Sequence, residues 1–416
     1  MAELRFPSSQ LTVALSRHAA WANGRSDGER LQRRGEDFSF LRLDNAKLND
    51  AILSRCQFVG ASLVKAELRR ADLFAGDFMH ADLSGAVMDR SDLRGANMMK
   101  AILRGASLNQ ADLRPGQIVA GDGGIKSQAA NLKEAKIDGA DLRAAQLDEA
   151  NLAVASATGA NFSNASLFAV NLAGADLSGA NLTAARLRDV NLVGAKMDGV
   201  LLQGADLQGA NLRNVDLSKV NLKGVDLSGA VHRKSASLPT EIEVLLHAHS
   251  RWIATGGAEG QRAILSGKRL AGCDFSSCDL RGAELHGCDL QNASFTHAQL
   301  LFASFLGAEM VKANFDQADL GGVNFTGADL RGATFRGAKL TGAPLFSASQ
   351  QATGRIIYPI LSGADLSGAD FRGAVLDHID LRNAKLERAN FAGADLRHCL
   401  GAAETQTPAP GPAIRS

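Results

Sequence analysis

A chain of 416 residues carries 45 Lys and Arg against 44 Asp and Glu, so no global field draws it to nucleic acid or an anionic membrane. Glycine is abundant at 43 and aromatic residues are scarce at 5%, which excludes an ordinary large aromatic core. No apolar run approaches the ~20 residues that span a bilayer, and the opening MAELRFPSSQLTVALSRHAAW lacks the basic start of a signal peptide; the expectation is a cytoplasmic protein.

In chain order, Ser8 and Ser9 lead into a short amphipathic helix over residues 9–22, followed by Gly24, Gly28 and the basic stretch Arg30–Arg34. A first repeat run holds over 38–113. Pro115 and Gly116 end it, and RPGQIVAGDGGIKSQAA reads as a loop. Within it, Gly121–Ser127 faintly suggests a phosphate loop, but the spacing and the strand-then-helix context are missing. A second run holds over 132–230. Ala157 is its one truncated large site, where a local narrowing or void is expected. His232 breaks the pattern. Thr240 and Glu243 then suggest a capping box, and Ile242, Leu245, Leu246, His249 and Trp252 share one helical face. A third run spans 270–345. FSASQQATGRIIYP reads as a second loop, and repeats resume over 361–398. The polar, Pro-rich residues 401–416 read as a disordered tail.

The second half duplicates the first. His18-Ala-Ala-Trp21 matches His249-Ser-Arg-Trp252, and Gly28-Glu-Arg30 matches Gly260-Gln-Arg262. The division is placed between 236 and 237, giving modules 1–236 and 237–400, each a short helix followed by repeats.

The runs have a period of five. From Leu172 to Leu227 a Leu or Met returns every fifth residue, with a small apolar residue two places earlier and Asp, Asn or another polar residue between. This period is neither helical nor that of a straight strand, so the backbone must bend once per repeat. The large and small residues share parity and face inward, the polar one faces out, and Gly eases the corner. Each repeat makes one side of a coil, and stacked coils form an all-β solenoid. Phe38, Phe58 and Phe78, and again Phe275, Phe295, Phe315 and Phe335, recur every twenty residues. On a four-sided coil each set forms one stacked core ladder.

The A-(D/N)-L-x-x pattern resembles the pentapeptide-repeat family over about three quarters of the chain. The resemblance implies a right-handed quadrilateral β-helix. The leaders with H-x-x-W and G-x-R are similar to those of many bacterial members.

Cys56, Cys273, Cys278, Cys288 and Cys399 fall at inward positions and read as substitutes for Ala rather than as metal or redox ligands. His18 with Trp21 and His249 with Trp252 lie at i, i+3. They read as structural caps, with both tryptophans buried on the first coil of their own half. Asp141, Asp176 and Asp206 occupy the polar slot and are expected to bond corner backbone. No constellation supports an enzyme, a cofactor or a metal.

The expectation is a non-enzymatic scaffold for an unidentified protein partner. Two alternatives stay open. One is the duplex mimicry of a topoisomerase partner known in this family. Its acidic surface is absent here: residues 1–236 carry 26 acids and 29 bases, and 237–416 carry 18 and 16. The other is an accessory or effector role in protein secretion, on which no residue bears. Direct nucleic-acid binding is not expected, and the oligomeric state is open.

Overall fold

The computed structural model describes residues 3–119, 124–232, 238–346, 352–394, 396 and 398–401. It divides into two compact units, 1–231 and 232–416.

The repeat geometry follows from one hydrogen-bond rule. An inward large residue donates its N–H to the coil above, as Leu182 does to the Leu201 carbonyl at 2.8 Å. The outward polar residue donates to the coil below, as Asn181 does to the Ala160 carbonyl at 2.9 Å. Asp72, Asp92 and Asp112 pair in parallel at a spacing of twenty, and so do Asp289, Glu309 and Asp329. Four five-residue sides therefore close one coil. Each side contributes one bridging residue, too little for a conventional strand. This is why the regular strands are few and lie mostly outside the coils.

Corners close with an i→i+3 bond, such as Ala46 N–H to the Leu43 carbonyl at 3.1 Å. The third residue of nearly all such turns is left-handed. Gly179 has φ 69° there, yet Asn45, Asp50 and Arg70 occupy the same slot at φ 58°, 62° and 55°. Glycine relieves strain at the corner, but it is not required in every one.

Inside, each unit has its own core. In unit 1 it runs from Leu11 to Val215, and in unit 2 from Leu238 to Ala384. Phe38, Phe58 and Phe78 stack with centroids 5.1 and 4.7 Å apart. Phe275, Phe295, Phe315 and Phe335 stack at 5.2, 4.9 and 5.0 Å. The second ladder continues through Phe371 and Phe391, at 4.5 and 4.8 Å. A column of Phe305 and Phe325 meets it edge-on, at interplanar angles near 80°.

The two loops are excursions at corners. In unit 1, strands β1 (Gly116–Val119) and β2 (Ile125–Gln128) pair as an antiparallel hairpin. Asn97 pairs with Asn131, so the coil resumes in phase after fourteen extra residues. The stretch after Gly121–Gly123 is hairpin strand, with no helix behind it; Gly121, Asp122 and Gly123 themselves lie outside the described residues. In unit 2, β3 (Lys339–Leu340) pairs in parallel with β6 (Val375–Leu376). Between them β4 (Ala343–Phe346) pairs antiparallel with β5 (Ala352–Ile357). Asn324 pairs with Ile360, an excess of sixteen residues.

This phase corrects the run boundaries. Leu345 lies on β4, so the third run ends at Leu340 and the next side is Leu361. The same run starts one side earlier than 270, because Ala263 and Leu265 are both fully buried and Ile264 pairs with Glu284. Ala157 is enclosed, and its N–H reaches the Asp176 carbonyl at 2.8 Å, so the coil passes through it unbroken.

Candidate functional site at the coil starts and outer faces

Helix α1 (Ser9–Ala22) starts at Ser8, whose Oγ accepts the Leu11 N–H at 3.2 Å. Helix α2 (Thr240–Ala254) does not start as the capping-box reading expects. Pro239 is its N-cap and Thr240 already lies inside, so the box does not form; the Glu243 carboxylate instead accepts the N–H of Leu238, ahead of the cap, at 2.8 Å. Both helices present a histidine to the first coil. His18 and His249 are fully buried. Their Nδ1 atoms accept the N–H of Leu31 and of Ala263, each at 3.0 Å.

Those amides explain the arrangement. In the regular repeats that follow, the equivalent N–H closes a corner onto the large residue three places before. The first side has no preceding repeat, so the imidazole stands in for the missing carbonyl. An accepting Nδ1 places the proton on Nε2, which is buried without a hydrogen-bond partner. Burial holds both histidines below their ordinary pKa, His249 at about 4.

The tryptophans are not enclosed as expected. Trp21 and Trp252 are half-buried. They stack beside the histidines at 5.5 and 5.6 Å, and the Arg30 guanidinium lies 5.6 Å from the Trp21 ring centre. The smaller, polar ring takes the buried place because only it can accept the orphan N–H. The G-x-R motif has a steric reason. A Cβ on Gly28 would lie 2.1 Å from the Trp21 nitrogen, and one on Gly260 2.2 Å from the Ala248 carbonyl oxygen. Glycine lets the chain leave the helix and run back against it.

The outward acids serve their own coils. Asp141, Asp176 and Asp206 each accept the N–H two residues on, at 3.1, 3.1 and 3.2 Å. Where Arg follows at that place, as in Asp329-Leu-Arg331 and Asp380-Leu-Arg382, the guanidinium grips the same carboxylate with two bonds of 2.7–2.9 Å. Asp92, Asp112, Asp141, Asp279 and Asp370 repeat the arrangement. The Arg hydrogen bond holds Asp141, Asp329, Asp370 and Asp380 below the usual carboxylate range. In unit 1, Asn131, Asn171 and Asn191 each donate to the Asn of the coil below, at 3.1–3.3 Å, forming an amide ladder.

Cys56, Cys278 and Cys288 are buried, and Cys273 and Cys399 are partly covered. Sγ of Cys288 donates to the Leu265 carbonyl at 2.9 Å. Burial pushes the Cys56, Cys273 and Cys288 thiols up, away from the reactive thiolate.

The outer surface of unit 1 also carries apolar side chains that gather in a groove. Leu4, Phe40, Val59 and Ile102, with His80 and Lys100, line a groove of about 500 Å³. They come from the N-terminal segment and successive coils, so the groove runs along the stacking direction.

Models of pentapeptide repeats match 37–73, 77–114, 128–164, 165–204, 195–231 and 360–400, and a pentapeptide repeat region matches 268–345. The chain belongs to the pentapeptide-repeat family. No curated relative matches. Among solved structures, HetL is a pentapeptide repeat protein involved in heterocyst differentiation regulation in the cyanobacterium Nostoc. It is 26% identical over 73% of this chain and 89% of its own, with a TM-score of 0.27. Full-length QnrB1, a plasmid-mediated fluoroquinolone resistance protein, is 20% identical over 48% and 91%, with a TM-score of 0.27. Rfr23 from the cyanobacterium Cyanothece is 27% identical over 33% and 85%, with a TM-score of 0.18. The fold assignment of this pentapeptide-repeat chain rests on the family match and on the twenty-residue coil, not on these superpositions.

Sequence reasoning missed the groove. Its residues are scattered over 4–102, and only the twenty-residue offset aligns Phe40, Gly60, His80 and Lys100 in one corner column. It also missed the Phe305–Phe325 column, which the same offset exposes.

Proposed function

We propose that this pentapeptide-repeat protein is a non-enzymatic scaffold for another protein, built as two modules whose first coils are closed by α1 and α2. The groove of unit 1 carries the reading. Many outward polar groups are engaged with their own coils, whereas Leu4, Phe40, Val59 and Ile102 leave apolar surface open along one groove. The occupant that fits is an extended apolar segment of a partner lying along the stacked coils, with specificity from His80 and Lys100 at the rim.

Duplex mimicry is less well supported. The outward aspartates of the D-x-R repeats carry their own guanidinium, so they do not present a row of bare negative charges.

The test is affinity capture with the full chain beside a Val59→Glu/Ile102→Glu variant. Both side chains are only partly buried, so the variant should keep its melting temperature. Partners held by the wild type and lost by the variant support the groove. Identical capture by the two chains removes it.

A further inference from the structure

At the far end of unit 2 one corner column is unlike the rest. Gly342, His378 and His398 each follow an inward Leu by two residues, at Leu340, Leu376 and Leu396, so they stack one coil apart. The His378 and His398 rings lie 4.7 Å apart at 26°. The Tyr358 ring lies against His378 at 4.8 Å, tilted by 31°. The tyrosine can fold into the column because Gly342 has no side chain: a Cβ there would come within 2.6 Å of its ring. Asp377 sits beside the stack. Its Oδ1 is 2.6 Å from His378 Nδ1 and 3.4 Å from His398 Nδ1. Two imidazole nitrogens and one carboxylate oxygen thus lie within 4.8 Å of one another, the one such trio among the described residues.

We propose that Asp377, His378 and His398 bind a divalent transition-metal ion of the zinc class. The donor set decides the class: two neutral imidazoles and a carboxylate suit zinc, while Mg²⁺ and Ca²⁺ require oxygen ligands. His378 and His398 are exposed and Asp377 is half-buried, so a further position on the ion takes water. Tyr358 and the ring stack fix the orientation of His378, and adjacency in sequence ties Asp377 to it. Only His398 comes from a different coil, so the ion would join the last coil to the one before.

That end needs a tie. Buried core side chains stop at Leu381 and Ala384, and Leu386, Phe391 and Leu396 are only partly covered. An ion there would offset a thinning hydrophobic contribution, as structural metals do in small folds.

The experiment is calorimetric titration of Zn²⁺ into the full-length protein after chelator treatment. One site per chain is expected, with no heat from Mg²⁺. His378→Ala and His398→Ala should each weaken binding by more than the ~10–100-fold that losing a supporting group costs. His297→Ala, an exposed corner histidine elsewhere in unit 2, should bind as wild type does. Far-UV circular dichroism checks that each variant is folded. Zinc should also raise the melting temperature of the wild type and leave that of His398→Ala unmoved. Absence of saturable zinc binding, or equal binding by the His378→Ala/His398→Ala double variant, overturns the proposal.

Discussion

Leu182 and Ser178 are four residues apart and have opposite consequences. Leu182 is fully buried, so replacing it removes ~1.5–3 kcal/mol of burial, and an arginine there places a charge where no water reaches it. Leu182→Arg should unfold the second run. Ser178 stands two places after Asp176, the slot Arg takes in the D-L-R repeats, and it already donates to that carboxylate at 2.6 Å. Ser178→Arg should therefore be accommodated. Thermal melts check this: equal loss in the two variants would mean the inside–outside assignment is wrong. His249 makes a second prediction at this scale. Its folded pKa of about 4 lies below the ordinary 6.5, so an unfolded chain gains a proton that the folded chain refuses. The contribution is complete above pH 6.5, shrinks as pH falls, and is gone at about 4; integrated, it amounts to ~3 kcal/mol. His249→Gln should be less stable at pH 7 and flatter between pH 6.5 and 5. Trp252 fluorescence in a Trp21→Phe background reads it, and an unchanged pH slope would count against a neutral buried imidazole.

At the scale of elements, the hairpins and the leader helices play different parts. The coil phase passes through both hairpins with excesses of fourteen and sixteen residues. Deleting 115–128 joins Arg114 to Ala129 and restores the five-residue spacing from Leu113 to Leu132. Such a chain should melt cooperatively, within about 1–2 kcal/mol of wild type, since loop shortening changes closure entropy only slowly. Aggregation instead would show that β1 and β2 complete the wall. The helices are not dispensable in this way. His18→Ala leaves the Leu31 N–H buried without its acceptor, at a cost of ~1–3 kcal/mol. Unit 1 should lose that stability and unit 2 should not, which the separate Trp21 and Trp252 signals resolve.

For the whole molecule, separate cores imply separate folding. The core of unit 2 includes Leu238, Ile242 and Leu246, so α2 packs with the coils that follow it. A fragment 237–416 should express alone, show a β-rich circular dichroism spectrum and melt in one transition. An unfolded or aggregated fragment would make the two units interdependent.

The five-residue period was legible from residues alone. Alternating inward and outward places on a short extended side depend only on local parity, and the phenylalanine spacing of twenty already counts the sides. Seats of individual residues were less legible. Leu345 keeps the period in sequence yet lies on β4, because a hairpin restarts the phase wherever its strands pair, not where the motif lapses. The tryptophans looked like the buried anchors by size, but an orphan amide on the first coil selected the histidines, and such an amide exists only once the coil has closed. The groove and the Tyr358–His378–His398 column follow the same logic. The groove draws on residues between 4 and 102 and the column on residues twenty apart, and only hydrogen bonding between successive coils brings them side by side.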